Sequence, residues 1–411
     1  MPFTQFHLNK KLLKALEEKE YKEPTQVQIE TIPLVLDNKD IIVSAQTGTG
    51  KTAAFALPIL HKLSSTEIPS KKNKKVRALI ISPTRELAIQ LNQSFNDYGK
   101  YTGLTSALLF GGTSLDPQIL SLKKGVDIVI ATPGRLLDLH KQDILNLDYV
   151  ETLIIDEADM LLDMGFIDDV QKIERLCPES KQTIMLSATM PMKVIQLAKT
   201  ILKDPERVEV AETSSAAINV EQKLYYVPKP QKIELCLHLL RNTINGTIII
   251  FRRTKFGVDK LEKTLLKNNY KAESLHGDKT QSDRQLALNK FVNKDVNILV
   301  ATDVASRGID IENVDAVINF DIPNVPETYV HRIGRTGRAG NTGTSYSFCS
   351  ADEKSYIKNI QSLIQTSIPV VEEHPYPLDP KAKPEVHKKK GSKYKKSRKS
   401  EASKKNKKRW Y

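Results

Sequence analysis

Residues 41–52 read IIVSAQTGTGKT, and how those twelve positions are read decides the fold. IIVS is a β-branched run of the kind buried on both faces of a parallel strand. A glycine-bearing loop follows (Ala45, Gln46, Thr47, Gly48, Thr49, Gly50), and Lys51 and Thr52 open the helical pattern KTAAFALPILHKL. Pro58 alone interrupts that pattern and is expected to kink the helix. Strand, glycine loop and helix together hold a phosphate chain on backbone N–H groups at a helix N-terminus. Lys51 is placed to reach β- and γ-phosphates and Thr52 to hold Mg²⁺, while Ala45 stands where such loops usually begin with glycine.

Short apolar runs recur on the C-terminal side of this stretch. With 41–44, the runs at 78–82, 127–131, 152–155 and 183–186 form one series, and 247–251, 272–275, 297–301, 316–319 and 344–348 a second. Each precedes a polar motif. The spacing predicts α/β architecture: parallel sheets flanked by helices, with ligands outside the carboxyl ends of the strands. Two sheets imply a cleft. Between the series, EVAETSSAAIN at 209–219 loses the apolar pattern and reads as a linker. The expected division is an N-terminal region at 1–29, a first domain at 30–208, the linker at 209–219, a second domain at 220–367, and a disordered basic tail at 368–411.

The formal net charge of +13 is local. Residues 381–411 hold fifteen Lys or Arg against Glu385 and Glu401, a net +13, and the other 380 residues balance 47 bases with 47 acids. Any nucleic-acid site in the body is therefore a patch. Cys177, Cys236 and Cys349 form no CxxC pair, which fits a reducing cytoplasm. With neither an apolar leader core nor a run of roughly 20 apolar residues, a secreted or membrane-embedded protein is not expected. A monomer is.

Two further strings carry chemistry. DEAD at 156–159 follows the buried pattern LII, so Asp156 emerges at the sheet edge to hold Mg²⁺ largely through water, and Glu157 to orient or deprotonate an attacking water. HRIGRTGR at 331–338 offers Arg335 and Arg338 to a γ-phosphate from across a cleft. The three strings in this order read as ATP-driven work on RNA.

On these strings the chain resembles the DEAD-box RNA helicases of superfamily 2, built from two RecA-like domains, over about residues 3–365. The resemblance implies that Phe3, Tyr21, Pro24, Thr25 and Gln28 form the motif that reads adenine, with Glu20 where glycine is usual. It implies RNA contacts from Pro83, Thr84 and Arg85, from Gly111 and Gly112, and from Thr132, Pro133, Gly134 and Arg135 on the first domain. On the second domain it implies contacts from Gly277, Gln281, Arg284 and Thr302, with Phe251 and Thr254 in a looser motif. Gly308 and Asp310 would lie at the nucleotide, Asp310 on the ribose, and Arg335 and Arg338 at the phosphates. Asp159, Ser187, Thr189, His331 and Arg332 would couple hydrolysis to the domains. The compact core and basic tail resemble the bacterial RhlE type. The implied cofactors are ATP and Mg²⁺, and the implied partners RNA of little sequence preference and ribonucleoproteins. Three activities fit: unwinding of short RNA duplexes, an ATP-dependent RNA clamp or assembly factor with little strand separation, and, less well, a DNA helicase of the same superfamily.

Overall fold

A computed structural model describes residues 2–45, 48–65, 74–210, 220–303, 311, 314–337, 343–379 and 382. Among these, thirteen strands form two sheets. The first holds β1 (Ile41–Ser44), β2 (Ala78–Ile81), β3 (Ser106–Leu109), β4 (Ile128–Ala131), β5 (Thr152–Ile155), β6 (Gln182–Ser187) and β7 (Glu206–Glu209). Its order is β3-β4-β2-β5-β6-β1-β7, parallel throughout. The second holds β8 (Val220–Tyr226), β9 (Ile248–Phe251), β10 (Ala272–Leu275), β11 (Ile298–Ala301), β12 (Ala316–Asn319) and β13 (Gly343–Cys349), in the parallel order β10-β11-β9-β12-β13-β8.

Alternation along each inner strand buries both of its faces. Ile80, Ile130, Ile154 and Ile184 enter one core of the first sheet, and Leu79, Val129, Leu153 and Met185 the other. These are the helix-flanked parallel layers the strand spacing predicts, as the resemblance to two RecA-like domains implies. All ten expected strands are present. The three unexpected ones, β3, β7 and β8, are all edge strands: β3 (SALL) is short and only alternately buried, and β7 (ERVE) and β8 (VEQKLYY) are rich in polar residues. The helix Lys51–Ser65 runs unbroken past Pro58.

Two boundaries differ from expectation. β7 ends at Glu209, one residue beyond the expected limit of the first domain, and residues 211–219 of the expected linker lie outside the described residues. The tail expected to be without structure from 368 is ordered to Asp379 and lies along β8 as a strap. Leu224 N–H donates to the Pro369 carbonyl at 2.8 Å, and Val371 N–H and Leu378 N–H donate to the Leu224 and Tyr226 carbonyls, each at 2.9 Å. Ile368 is buried, and Val371 and Tyr376 pack on the core around Tyr225. Edge-strand carbonyls and a few apolar side chains order a segment whose composition is otherwise that of a loop. The charged run at 383–411 lies outside the described residues. Among the described residues no helix is long and apolar enough to cross a membrane.

Candidate functional site

The carboxyl end of β1 opens into the phosphate loop. Gly48 (φ 84°) and Gly50 (φ 91°) take left-handed conformations that side chains disfavour, and a Cβ on Gly50 would strike the Gln28 amide. That amide is one wall of the loop. Gln28 Nε2 donates to the Gly50 carbonyl at 3.1 Å, Gln28 Oε1 accepts from Thr25 N–H at 3.0 Å, and Thr25 Oγ1 donates to the Thr49 carbonyl at 2.8 Å. The bond from Thr25 N–H to Gln28 Oε1 is part of the capping box of the helix Gln26–Leu36, so the two residues that cap this helix also hold the nucleotide loop. A primary amide has two N–H groups and two acceptor lone pairs, which leaves Gln28 one of each for a base edge.

Phe3 is buried and stacks on Tyr21 with centroids 6.4 Å apart, while Tyr21 is 41 % exposed and its hydroxyl lies 3.2 Å from that of Tyr98. The glycine position taken by Glu20 has φ 57°, the left-handed region where glycine is the easier residue. Gln46 and Thr47 lie outside the described residues. Replacing Gln28 with Ala is expected to weaken ATP more than GTP, because the loop brace goes for both nucleotides and the base edge is read only in ATP. Equal weakening in nucleotide titrations would show that Gln28 does not read the base.

Three carboxylates stand at the end of β5, with β6 between them and β1. Lys51 Nζ meets Glu157 Oε1 at 3.0 Å, both side chains 7 % exposed. Burial opposes the lysine charge, but Glu157 and Asp156 outweigh it and hold its pKa above the ordinary range. For Asp156, burial and then the Glu157 charge push the pKa up to about 7 against the pull of Lys51. A buried carboxyl short of compensating charge suits a divalent cation. No group of three or more His, Cys, Asp or Glu among the described residues could hold one alone. Asp156 and the half-buried Thr52 would hold Mg²⁺ with phosphate oxygens and water. Glu157 has φ 51° at the N-cap of the short helix Ala158–Asp163, a strained position that aims it back at Lys51.

Two residues further, Asp159 Oδ2 accepts from Thr189 N–H at 2.8 Å and Thr189 Oγ1 at 2.7 Å, and Asp159 N–H donates to Ser187 Oγ at 3.2 Å. The end of β6 and the DEAD turn are thus joined directly.

On the second domain Arg332 is buried and forked onto Asp303, Nε to Oδ1 at 2.6 Å and Nη2 to Oδ2 at 2.8 Å. Nη1 adds bonds to Asn319 Oδ1 and the Asp321 carbonyl, and the guanidinium lies 4.9 Å from the buried Phe251 ring. Asp303 carries no signal of its own in the sequence, although it lies in the string ATDVASRGID. Arg335 sits half-buried in the turn after the helix Pro326–Ile333, its carbonyl accepting from Val314 N–H at 3.2 Å, and His331 is also half-buried. Gly308, Asp310 and Arg338 lie outside the described residues.

The RNA candidates converge. A cavity of about 430 Å³ is lined by Pro83, Thr84, Arg85, Gly111, Thr132, Gly134 and Arg135 of the first domain and by Gly277, Lys279, Gln281 and Arg284 of the second. Arg284 Nη2 lies 2.7 Å from Glu86 Oε1, Gln281 Nε2 donates to the same oxygen at 3.3 Å, and Arg85 Nη1 donates to Gln281 Oε1 at 3.4 Å. Glu86, which sequence reasoning passed over inside PTREL, joins the two domains. Arg135 Nη1 is buried and finds no hydrogen-bond partner among the described residues, as suits an arginine awaiting an anion. Gly112 (φ 77°) lets the Arg85 guanidinium lie on its backbone.

Two of the residues expected at RNA have structural roles in the first domain. Pro133 is buried in the first turn of the helix Pro133–Lys141, where its fixed φ positions Gly134 and Arg135. Thr84 is buried, and its hydroxyl accepts from Leu87 N–H at 3.3 Å to cap the helix Arg85–Tyr98. Thr302 ends β11, half-buried, and does not line the cavity.

This geometry has relatives. A DEAD/DEAH box helicase profile matches residues 25–198 and a helicase conserved C-terminal domain profile residues 231–340. The ATP-dependent RNA helicase CshA of Listeria monocytogenes is 43 % identical over 361 residues, covering 87 % of this chain and 68 % of that protein. The DEAD-box ATP-dependent RNA helicase CshA of Bacillus subtilis is 43 % identical over 359 residues, 87 % and 72 % of the two chains. Both carry the CshA name rather than that of the RhlE type. The structure of S. cerevisiae Dbp5 bound to RNA and ADP BeF3 superposes with a TM-score of 0.78 at 30 % identity, over 90 % of this chain and 95 % of that one.

Proposed function

We propose, from the premise that this chain belongs to the DEAD-box family of ATP-dependent RNA helicases, that hydrolysis is coupled to closure of the cleft between its two RecA-like domains. Closure would serve to open short RNA duplexes locally and to remodel ribonucleoproteins. One observation carries the reading: Arg85 and Glu86 meet Gln281 and Arg284 across a cavity that both domains line. A strand laid there touches both domains, and a nucleotide between Lys51 and the Arg335 turn does the same, so each favours the closed state and strengthens the other's binding. Bound Mg²⁺ would neutralise charge on the β- and γ-phosphates. In that closed site Lys51 leaves Glu157 for the γ-phosphate, Glu157 is freed to orient or deprotonate water, and Arg335 stabilises the charge spreading over the phosphoryl oxygens. The charged donors lining the groove, Arg85, Arg135, Lys279 and Arg284, suit phosphates, which implies little sequence preference.

Turnover measured with and without single-stranded RNA tests the coupling: hydrolysis that ignores RNA overturns it. Displacement of a short labelled strand, set beside RNA retention with a non-hydrolysable ATP analogue, separates unwinding from clamping.

The fifteen basic residues of 381–411, with Tyr394, Trp410 and Tyr411 to stack on bases, belong to the same proposal as a tether for RNA. Truncation after Pro380 is expected to leave turnover at saturating RNA nearly unchanged. RNA affinity should fall, and the slope of log K against log salt should shrink by about 0.7 for every phosphate the tail neutralises. Equal affinity and slope in the two forms would sink the tether.

A further inference from the structure

Phe256 is the most exposed large hydrophobic residue among those described, at 76 %. It occupies the second position of the helix Lys255–Lys267, whose N-terminus Thr254 caps by accepting from Gly257 N–H at 3.1 Å. An aromatic ring of this size left in water forgoes favourable burial, and it belongs to none of the hydrophobic clusters among the described residues of the second domain. Its surroundings point to an occupant. Lys255 Nζ lies 5.5 Å from the ring centroid and also bonds to Asp278. Asp278 sits between Gly277 and Lys279, both of which line the cavity shared with Arg85, Thr132 and Arg135. The exposed ring is therefore one ion pair away from the groove, beside a lysine and the N-terminal end of a capped helix, both of which attract phosphate.

We propose that Phe256 is a base-stacking platform at the margin of the groove, on which one nucleobase of a single RNA strand rests as the strand crosses the second domain. The inference rests on the RNA-binding function proposed for the groove and deepens it. The arginines of the groove suit phosphates, whereas a phenyl face takes the base itself and accepts any base because each has a π-face. Where this base stacks, the strand departs from a continuous run of stacked nucleotides.

The test uses the full chain, single-stranded oligoadenylate, ADP and beryllium fluoride. Phe256→Ala, at a site too exposed to disturb folding, is expected to weaken RNA binding about five- to 150-fold, the range for removal of one stacked base. The slope of log K against log salt should be unchanged, since every phosphate keeps its partners. Phe256→Trp is expected to restore the affinity. Moving a single abasic sugar along the oligonucleotide should reveal one position that weakens the wild type and has no effect on Phe256→Ala. An affinity for Phe256→Ala equal to wild type overturns the proposal and leaves the ring to a protein partner. A weakening accompanied by a reduced salt slope also overturns it, because charge and not stacking was then removed. Failure of the wild-type chain to bind RNA at all would overturn the RNA function of the groove itself, an outcome distinct from either.

Discussion

Glu157→Gln is expected to lower ATP turnover about 10²- to 10⁴-fold, the usual worth of a positioned general base, while ATP-dependent RNA binding persists or lengthens. The structure favours a clean outcome. Gln reproduces the length of Glu, and its Oε1 can still accept from Lys51 Nζ, now 3.0 Å from the carboxylate. The left-handed backbone at φ 51° disfavours both residues alike, so no new strain is added. What disappears is the charge, and with it the means of taking a proton from water. The variant also leaves the buried Lys51 charge with one carboxylate fewer, which should raise the affinity of the loop for triphosphate. Single-turnover hydrolysis and RNA off-rates measured with ATP decide the matter: wild-type turnover would remove Glu157 from catalysis.

Arg335→Ala is expected to reduce RNA-stimulated turnover about 10³- to 10⁵-fold, the range for an arginine finger in phosphoryl transfer. ATP affinity in the absence of RNA should change little, because the phosphate loop, Lys51 and Gln28 all lie on the other domain. The Arg335 backbone holds its turn through bonds that an alanine keeps, the carbonyl to Val314 N–H and the N–H to the Arg332 carbonyl. Folding of the second domain should therefore survive, and circular dichroism of the variant checks it. A turnover near wild type at saturating RNA would show that another group faces the γ-phosphate.

Inner strands were legible because burial on both faces leaves an uninterrupted apolar run: Ile248–Phe251 reads IIIF and Ile298–Ala301 reads ILVA. Edge strands were legible only in part: β10 was expected, whereas β7 lies mostly in water and its sequence ERVE carries no such signature. Local strings placed the phosphate loop and the DEAD turn at strand ends, where the structure has them. The pairings between strings were invisible in sequence. Lys51 and Glu157 are 106 positions apart and Glu86 and Arg284 are 198 apart, and no periodicity links charges brought together by the order of strands in a sheet or by the facing of two domains. Asp303 and Glu86 escaped notice for the same reason, each made conspicuous only by the arginine it meets.

The strap along β8 bears on how this protein stays in solution. As an outer strand of the second sheet, β8 would present unpaired carbonyls and the apolar seat of Ile368 to any other extended chain, a ready template for intermolecular strand addition. Ile368, Pro369 and Val371 occupy that template from within the same molecule. A protein cut just before Ile368 would keep every catalytic string and still be sticky, self-associating with rising concentration, whereas one cut after Pro380 retains the cover and stays dispersed.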